Sequence, residues 1–430
     1  MIKHLTIAIV ALLTTMSVSA QTKDTIEVQK IGDKYYVIVD HPKVDTTKQF
    51  APAPPPAPTI SKTFDSHFMV VGLATIGFLN TWSVNKVNTP TGMVSTKMPV
   101  MNSFGDVAHY EFSPMFLWRH SDNILVEFEP SFNNGALGVN WADITYFAYP
   151  GVIIRAGYLV LPFGTYNKRL AAGWICKLPT DPVSVTSSPV GSDWGIELEG
   201  GQQVGKMKVN YDVALTNGFV LSATDGSITN PDVNAVDNNL GKTVTGRFGW
   251  LPLTNSRVEI GVSGLWGKAG DANTQYKNVS TAMGALDFQW VYAKKPISIN
   301  IKAEGNMLYV TNASYTNPNP PTPTDTEYSY RNLSMGYYCM LSLRPIVADK
   351  FLRNLEVAVR VSQFETPTGS AFESHQRQIS AGVCYWINWR TVFKIGYENL
   401  ITTNPDNTEL AITNLKNAQN VLYAQFSVQF

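Results

Sequence analysis

A chain of 430 residues with Lys+Arg 33 against Asp+Glu 33 has no net charge, which argues against a nucleic-acid binder, since such proteins show a basic excess. Charged residues make up only 15% and aromatics 11%, led by Tyr (19) and Phe (20), while mean hydropathy stays near zero. That is too little charge for an ordinary soluble domain, and it suits a wall with one greasy face and one wet face. Cys176, Cys339 and Cys384 form no disulfide framework and show no metal-ligand spacing, so they read as small apolar residues.

In chain order, residues 1–20 read as a signal peptide. Lys3 and His4 precede an apolar stretch from Leu5 to Leu13, and Val18-Ser19-Ala20 offers a small-residue cleavage site. The stretch is short for a membrane helix, and no longer apolar run follows. Residues 21–50 read as a periplasmic extension built on a hairpin, with Thr25–Gln29 and Tyr35–Val39 flanking Gly32-Asp33. Residues 51–60, rich in Ala-Pro, form a stiff linker. A lone hairpin is marginally stable, so this extension either docks on a partner, such as peptidoglycan or a periplasmic protein, or serves as a tether.

From residue 61 to 430 the expectation is an all-β protein, a transmembrane antiparallel β-barrel of about sixteen strands. The signal is period-two alternation, as in Ile297-Ser298-Ile299-Asn300-Ile301-Lys302 and Leu355-Glu356-Val357-Ala358-Val359-Arg360-Val361. Alternate side chains of a strand leave opposite faces, so each segment has an apolar and a polar face. The expected strands are 66–82, 105–118, 123–134, 138–149, 151–162, 193–202, 205–217, 243–251, 256–267, 281–293, 296–309, 330–344, 353–364, 376–387, 390–401 and 418–430. A soluble sandwich also alternates, but three features favour the barrel. Many segments reach the ~9–11 residues needed to cross a bilayer at a tilt. Tight turns such as Tyr149-Pro150-Gly151 mostly alternate with long connections such as 163–192 and 218–242. Aromatics gather near strand ends, as in Trp290-Val291-Tyr292 and Tyr385-Trp386.

The last strand, Val421 to Phe430, alternates and ends on an aromatic residue. It resembles the assembly signal of outer-membrane barrels. The run Arg155 to Asn167, with Pro162-Phe163-Gly164 at its turn, resembles a porin strand of the phosphate-selective porin O/P-like superfamily found in Bacteroidota and Proteobacteria. Over residues 66–430 the resemblance implies an outer-membrane porin, surrounded by outer-membrane lipid and assembled as a homotrimer. It also implies that the third external loop, 163–192, folds into the lumen.

A charge on the lipid face costs ~2–4 kcal/mol at midplane, so the polar faces must point inward. That phase assigns Glu111, Glu127, Glu129, Asp143, Glu197, Glu199, Asp212, Glu259, Asp287, Glu304, Glu356 and Glu398 to the lumen wall, with Arg155, Lys208, Arg247, Lys302, Arg360 and Lys394. A phosphate-selective member would carry a run of lumen lysines, and this wall does not, so strict phosphate selectivity is not expected. Lys168, Arg169 and Lys177 of the third loop are expected to form a pore constriction, facing wall acids such as Glu127 or Glu129. The function expected is passive diffusion of small hydrophilic solutes or ions, with no cofactor, metal or enzymatic activity. The alternatives are a structural or adhesive barrel with a closed lumen, and a barrel hydrolase using His109 beside Glu111.

Overall fold

The computed structural model describes residues 27–31, 34–38, 66–89, 92–98, 101–104, 110–133, 136–172, 175–230, 237, 239, 241–317, 326–405 and 415–430. The expected signal peptide, the linker 51–60, His109 and Trp174 lie outside them. The chain divides into two units, Met1–Gln49 and Phe50–Phe430. In the first, Glu27–Ile31 pairs antiparallel with Lys34–Ile38.

The second unit is a closed barrel of sixteen antiparallel strands. Its first strands are β1 (His67–Thr89), β2 (Tyr110–Arg119), β3 (Ile124–Asn133), β4 (Ala136–Tyr149) and β5 (Val152–Val160). Then come β6 (Ser192–Val204), β7 (Met207–Thr216), β8 (Thr243–Leu251), β9 (Val258–Lys268), β10 (Ser280–Lys294) and β11 (Ile297–Val310). The wall ends with β12 (Leu333–Pro345), β13 (Leu355–Glu365), β14 (His375–Asn388), β15 (Thr391–Asn404) and β16 (Leu415–Gln429). Closure comes from β16 against β1, in register from Leu415↔Val87 to Gln429↔Leu73. At that seam Gly72 and Phe430 exchange both backbone hydrogen bonds, at 3.1 and 3.0 Å, and the Phe430 ring stacks on Phe112 at 5.7 Å. Closure leaves no open edge, as lipid requires, because it offers backbone groups no partners.

Two stretches depart from expectation. β1 runs to Thr89 rather than 82, because β16 starts at Leu415 and still pairs there, and because Gly92–Lys97 and Met101–Phe104 return along it. β2 is described only from Tyr110. Tight turns join strands at one end. Gly151 holds φ +80 in the β4–β5 turn, where a side chain would strike the carbonyl of Gly201.

The barrel is inside-out relative to a soluble protein. Large apolar side chains such as Ile196 (57% exposed) and Leu286 (67%) cover the outside, while their strand neighbours Glu197 and Asp287 are buried. Near the external ends of β9–β11 the inward positions turn apolar, with Leu265, Met283, Leu308 and Val310. The clean polar-inward rule fails there because the loops above supply apolar partners: Phe219, Leu221, Tyr276, Tyr315 and Tyr330 pack onto these residues, with Tyr276 stacked on Tyr315 at 5.5 Å. Of the cysteines, Cys176 and Cys384 are buried and Cys339 faces outward.

Candidate functional site in the barrel lumen

The inner wall begins with the alternation that makes the strands. Glu197, Asp212, Arg247, Lys302, Glu304, Arg360 and Lys394 are all buried, each between more exposed strand neighbours, so they point away from lipid. Glu127, Glu129 and Arg155 share that inward phase. Arg155 binds Glu127 at 2.7 Å, Asp143 at 3.3 Å and Glu199 at 3.2 Å. Arg247 grips Asp287 through two hydrogen bonds of 2.9 and 2.7 Å and reaches Glu259 at 3.0 Å. Lys394 donates to Gln425 at 2.8 Å. Glu129 takes a hydrogen bond from Asn140 at 3.2 Å, and the same amide reaches Glu111 at 3.5 Å. No ion pair engages Glu111 or Glu129 among the described residues.

The connection between β5 and β6 lies against this wall from the inside. At its entry Gly164 has φ +64, and a Cβ there would sit 2.2 Å from the Glu304 carboxylate, so only glycine permits the approach. Its amide donates to Ser263 Oγ at 3.0 Å, and the next amide, of Thr165, donates to Glu304 Oε2 at 2.9 Å. A single turn, Tyr166–Leu170, follows. Tyr166 donates its hydroxyl to Asp181 at 2.6 Å, tying the two ends of the loop together. Further on, Arg360 donates to the carbonyls of Thr180 and Asp181 at 2.6 and 3.0 Å and pairs with Glu398 at 3.6 Å. The short helix Val183–Thr186 is seated by amides of Val183 on Gln378 (2.9 Å) and of Ser184 on Ser362 (3.1 Å). Each of these wall partners is an inward-facing residue, so the loop occupies the lumen.

The three loop cations each meet acids. Lys168 bonds Glu197 and lies 3.2 Å from Glu199 and 3.6 Å from Asp212. Burial favours the neutral amine, but the carboxylates of Asp212, Glu197 and Glu199 outweigh it and raise the pKa of Lys168 above the usual lysine value. Those carboxylate oxygens lie within 4.8 Å of one another, close enough for a metal ion, and here an ammonium serves them. Arg169 reaches Glu259 at 3.0 Å and Asp212 at 3.8 Å, and at 35% exposure it is the wettest of the three. Lys177 bonds Glu356 and donates to Ser342 at 3.0 Å. The expected partners Glu127 and Glu129 are not the ones used: Glu127 is taken by Arg155, and Glu129 by Asn140.

Charge is unevenly spread. From β2 to β10 the wall carries Glu111, Glu127, Glu129, Asp143, Glu197, Glu199, Asp212, Glu259 and Asp287 against Arg155, Lys208 and Arg247. From β11 to β15 the cations Lys302, Arg344, Arg360 and Lys394 stand among Glu304, Glu356 and Glu398. Sequence reasoning missed the polar anchors Asn140, Asn210, Ser263, Ser342, Ser362 and Gln378. Asn210 shares its phase with Lys208 and Asp212, so alternation could have found it. Tyr166 and Thr180 stand in a loop without periodicity and left no signal.

No protein-family model matches the chain, and no curated protein matches it. Among solved structures, the outer-membrane channel DcaP of Acinetobacter baumannii aligns with TM-score 0.51 at 13% identity, over 84% of this chain and 97% of that one. An anion-selective porin from Comamonas acidovorans aligns at 0.47 and 10%, over 85% and 100%, and OprB of Pseudomonas putida at 0.47 and 9%, over 84% and 94%. At such identities the likeness concerns the fold. The closed wall, its apolar exterior and its polar bore define a bacterial outer-membrane β-barrel. Within that class this chain has a porin-like fold.

Proposed function

We propose that the protein is a general diffusion porin, passing small hydrophilic solutes through a water-filled eyelet with a preference for cations. The observation that carries this reading is the loop 163–192, held inside the lumen by Glu304, Glu197, Glu356 and Arg360. A loop pinned to β6–β15 leaves the inward faces of β2–β4 as the far side of the passage. There Glu111 and Glu129 stand without ion pairs among the described residues. A barrel of this size leaves an aqueous bore, rings of charge set ionic preference, and unpaired acids favour cations. The same imbalance speaks against phosphate as the preferred solute.

In this reading residues 1–20 direct export, the hairpin of 21–50 and the spacer 51–60 reach into the periplasm toward peptidoglycan or a partner protein, and the barrel works as a homotrimer in outer-membrane lipid. The supports are the sequence pattern and the porin-like fold.

The test is deletion of residues 168–179 followed by single-channel recording in planar bilayers. A larger conductance, with reversal potential in a salt gradient still cation-directed, is the expected outcome. Conductance identical to the full chain rejects the loop as constriction.

A further inference from the structure

Outside the barrel, near the external ends of β9–β13, lies a groove of about 690 Å³. Its floor is made by Gly284 and Gly305 on the lipid-facing phase, and Gly264 adjoins it on the next strand. Gly264 and Gly284 stand directly opposite each other, and Gly305 lies one strand further, opposite Leu286 and Tyr337. At Gly264 and Gly284 an added Cβ would meet nothing within 4 Å. The surrounding outward residues are large, among them Val262, Leu286, Met307 and Tyr337. A thin slot is therefore cut into an otherwise thick apolar surface.

Its depth and its rim say what fills it. Trp266 and Tyr309, both outward, lie one step nearer the external end and mark the interfacial girdle. The slot thus opens just below the headgroups of the outer leaflet. From Gly305 one cross-strand row runs Tyr337, Gln363, Arg377, so Arg377 stands about 14 Å away at ~4.8 Å per strand. Arg377 faces outward, is exposed, and forms no ion pair among the described residues. Glu365, the acid on the same phase, is occupied by Gln363 at 2.5 Å and lies 3.9 Å from His375. Lys268 closes the same phase on β9. The slot is in the size range of a site for a single small ligand, whereas a second copy would need an interface of ~800 Å² per partner.

The geometry points to a binding site for one acylated, phosphate-bearing lipid of the outer leaflet, lipopolysaccharide: a fatty chain lies over Gly284 and Gly305, and its phosphate meets Arg377. The test uses the purified full-length barrel in mild detergent, with native mass spectrometry after adding purified lipopolysaccharide in one arm and phosphatidylglycerol in the other. The variants are Gly284→Leu, which fills open space, and Arg377→Gln, each checked for folding by heat-modifiable gel mobility. The expected result is one lipopolysaccharide per wild-type barrel, at least tenfold weaker binding in each variant, and at least tenfold weaker binding of phosphatidylglycerol. Wild-type lipopolysaccharide binding in both variants overturns the site. Equal affinity for phosphatidylglycerol overturns the assignment of the lipid. Loss of oligomer mass in Gly284→Leu with lipid binding unchanged shows that a second copy covers the groove, and also overturns it. Both side chains face away from the lumen, so conductance stays at the wild-type level and the outcome is independent of the porin reading.

Discussion

Lys168 shows how one side chain joins loop, wall and passage. Its ammonium is shared among Glu197, Glu199 and Asp212, and Glu197 is fully buried. Removing one partner of such a pair leaves uncompensated charge, at a cost of ~3 kcal/mol. Lys168→Met is therefore expected to loosen the loop, lower the thermal midpoint of the folded barrel, enlarge conductance and shift reversal potential further toward cations. A variant with unchanged conductance and unchanged reversal potential would show that the pair plays no part in permeation. The pH dependence follows from the raised pKa of Lys168. A base whose pKa is raised on folding contributes its full stabilisation below the unfolded value of about 10.5, and loses it only as pH climbs through the folded value. Titration of conductance across the neutral range should show no step from this group. Lys168, Arg169 and Lys177 could be singled out from sequence because they are cations in one loop. Their partners could not, because alternation tells which face a residue takes and says nothing of which strands lie across the cylinder. That is why Glu127 and Glu129 were expected where Glu197, Glu259 and Glu356 stand.

At the scale of the element, strands were far more legible than loops. In Leu355–Glu365 every second residue, Val357, Val359 and Val361, is outward and exposed, and Arg360 between them is 1% exposed. Such a pattern has one physical solution in lipid, so β13 could be placed to within two residues. The same logic makes a prediction. Val359→Arg puts a charge on the lipid face mid-strand, at ~2–4 kcal/mol, and the folded fraction by heat-modifiable mobility should fall in a urea series relative to wild type. An unchanged urea midpoint would argue that this face does not meet lipid. Loops obey no such period. The course of 163–192 across the lumen depends on Gly164 fitting against Glu304 and on Tyr166 reaching Asp181, contacts between residues far apart in sequence. The apolar inward patch of Leu265, Met283 and Leu308 was illegible for the same reason: its partners are tyrosines of loops that come together only in the folded barrel.

For the whole molecule, closure and inversion are consequences of one constraint. With backbone groups paired all round the wall and β16 locked to β1, apolar side chains face lipid and charged ones face the bore. The number of strands and the direction of their faces were readable because each strand repeats the same solution. The contrast between an acid-rich arc on β2–β10, broken by Arg155, Lys208 and Arg247, and an arc on β11–β15 where cations and acids nearly balance emerges only when the sheet is rolled up. The most direct measurement is single-channel recording of the purified, full-length barrel in planar bilayers under a salt gradient. An ohmic, open channel whose reversal potential has the sign of cation preference is the result expected; a folded barrel that inserts and carries no current would contradict the central claim.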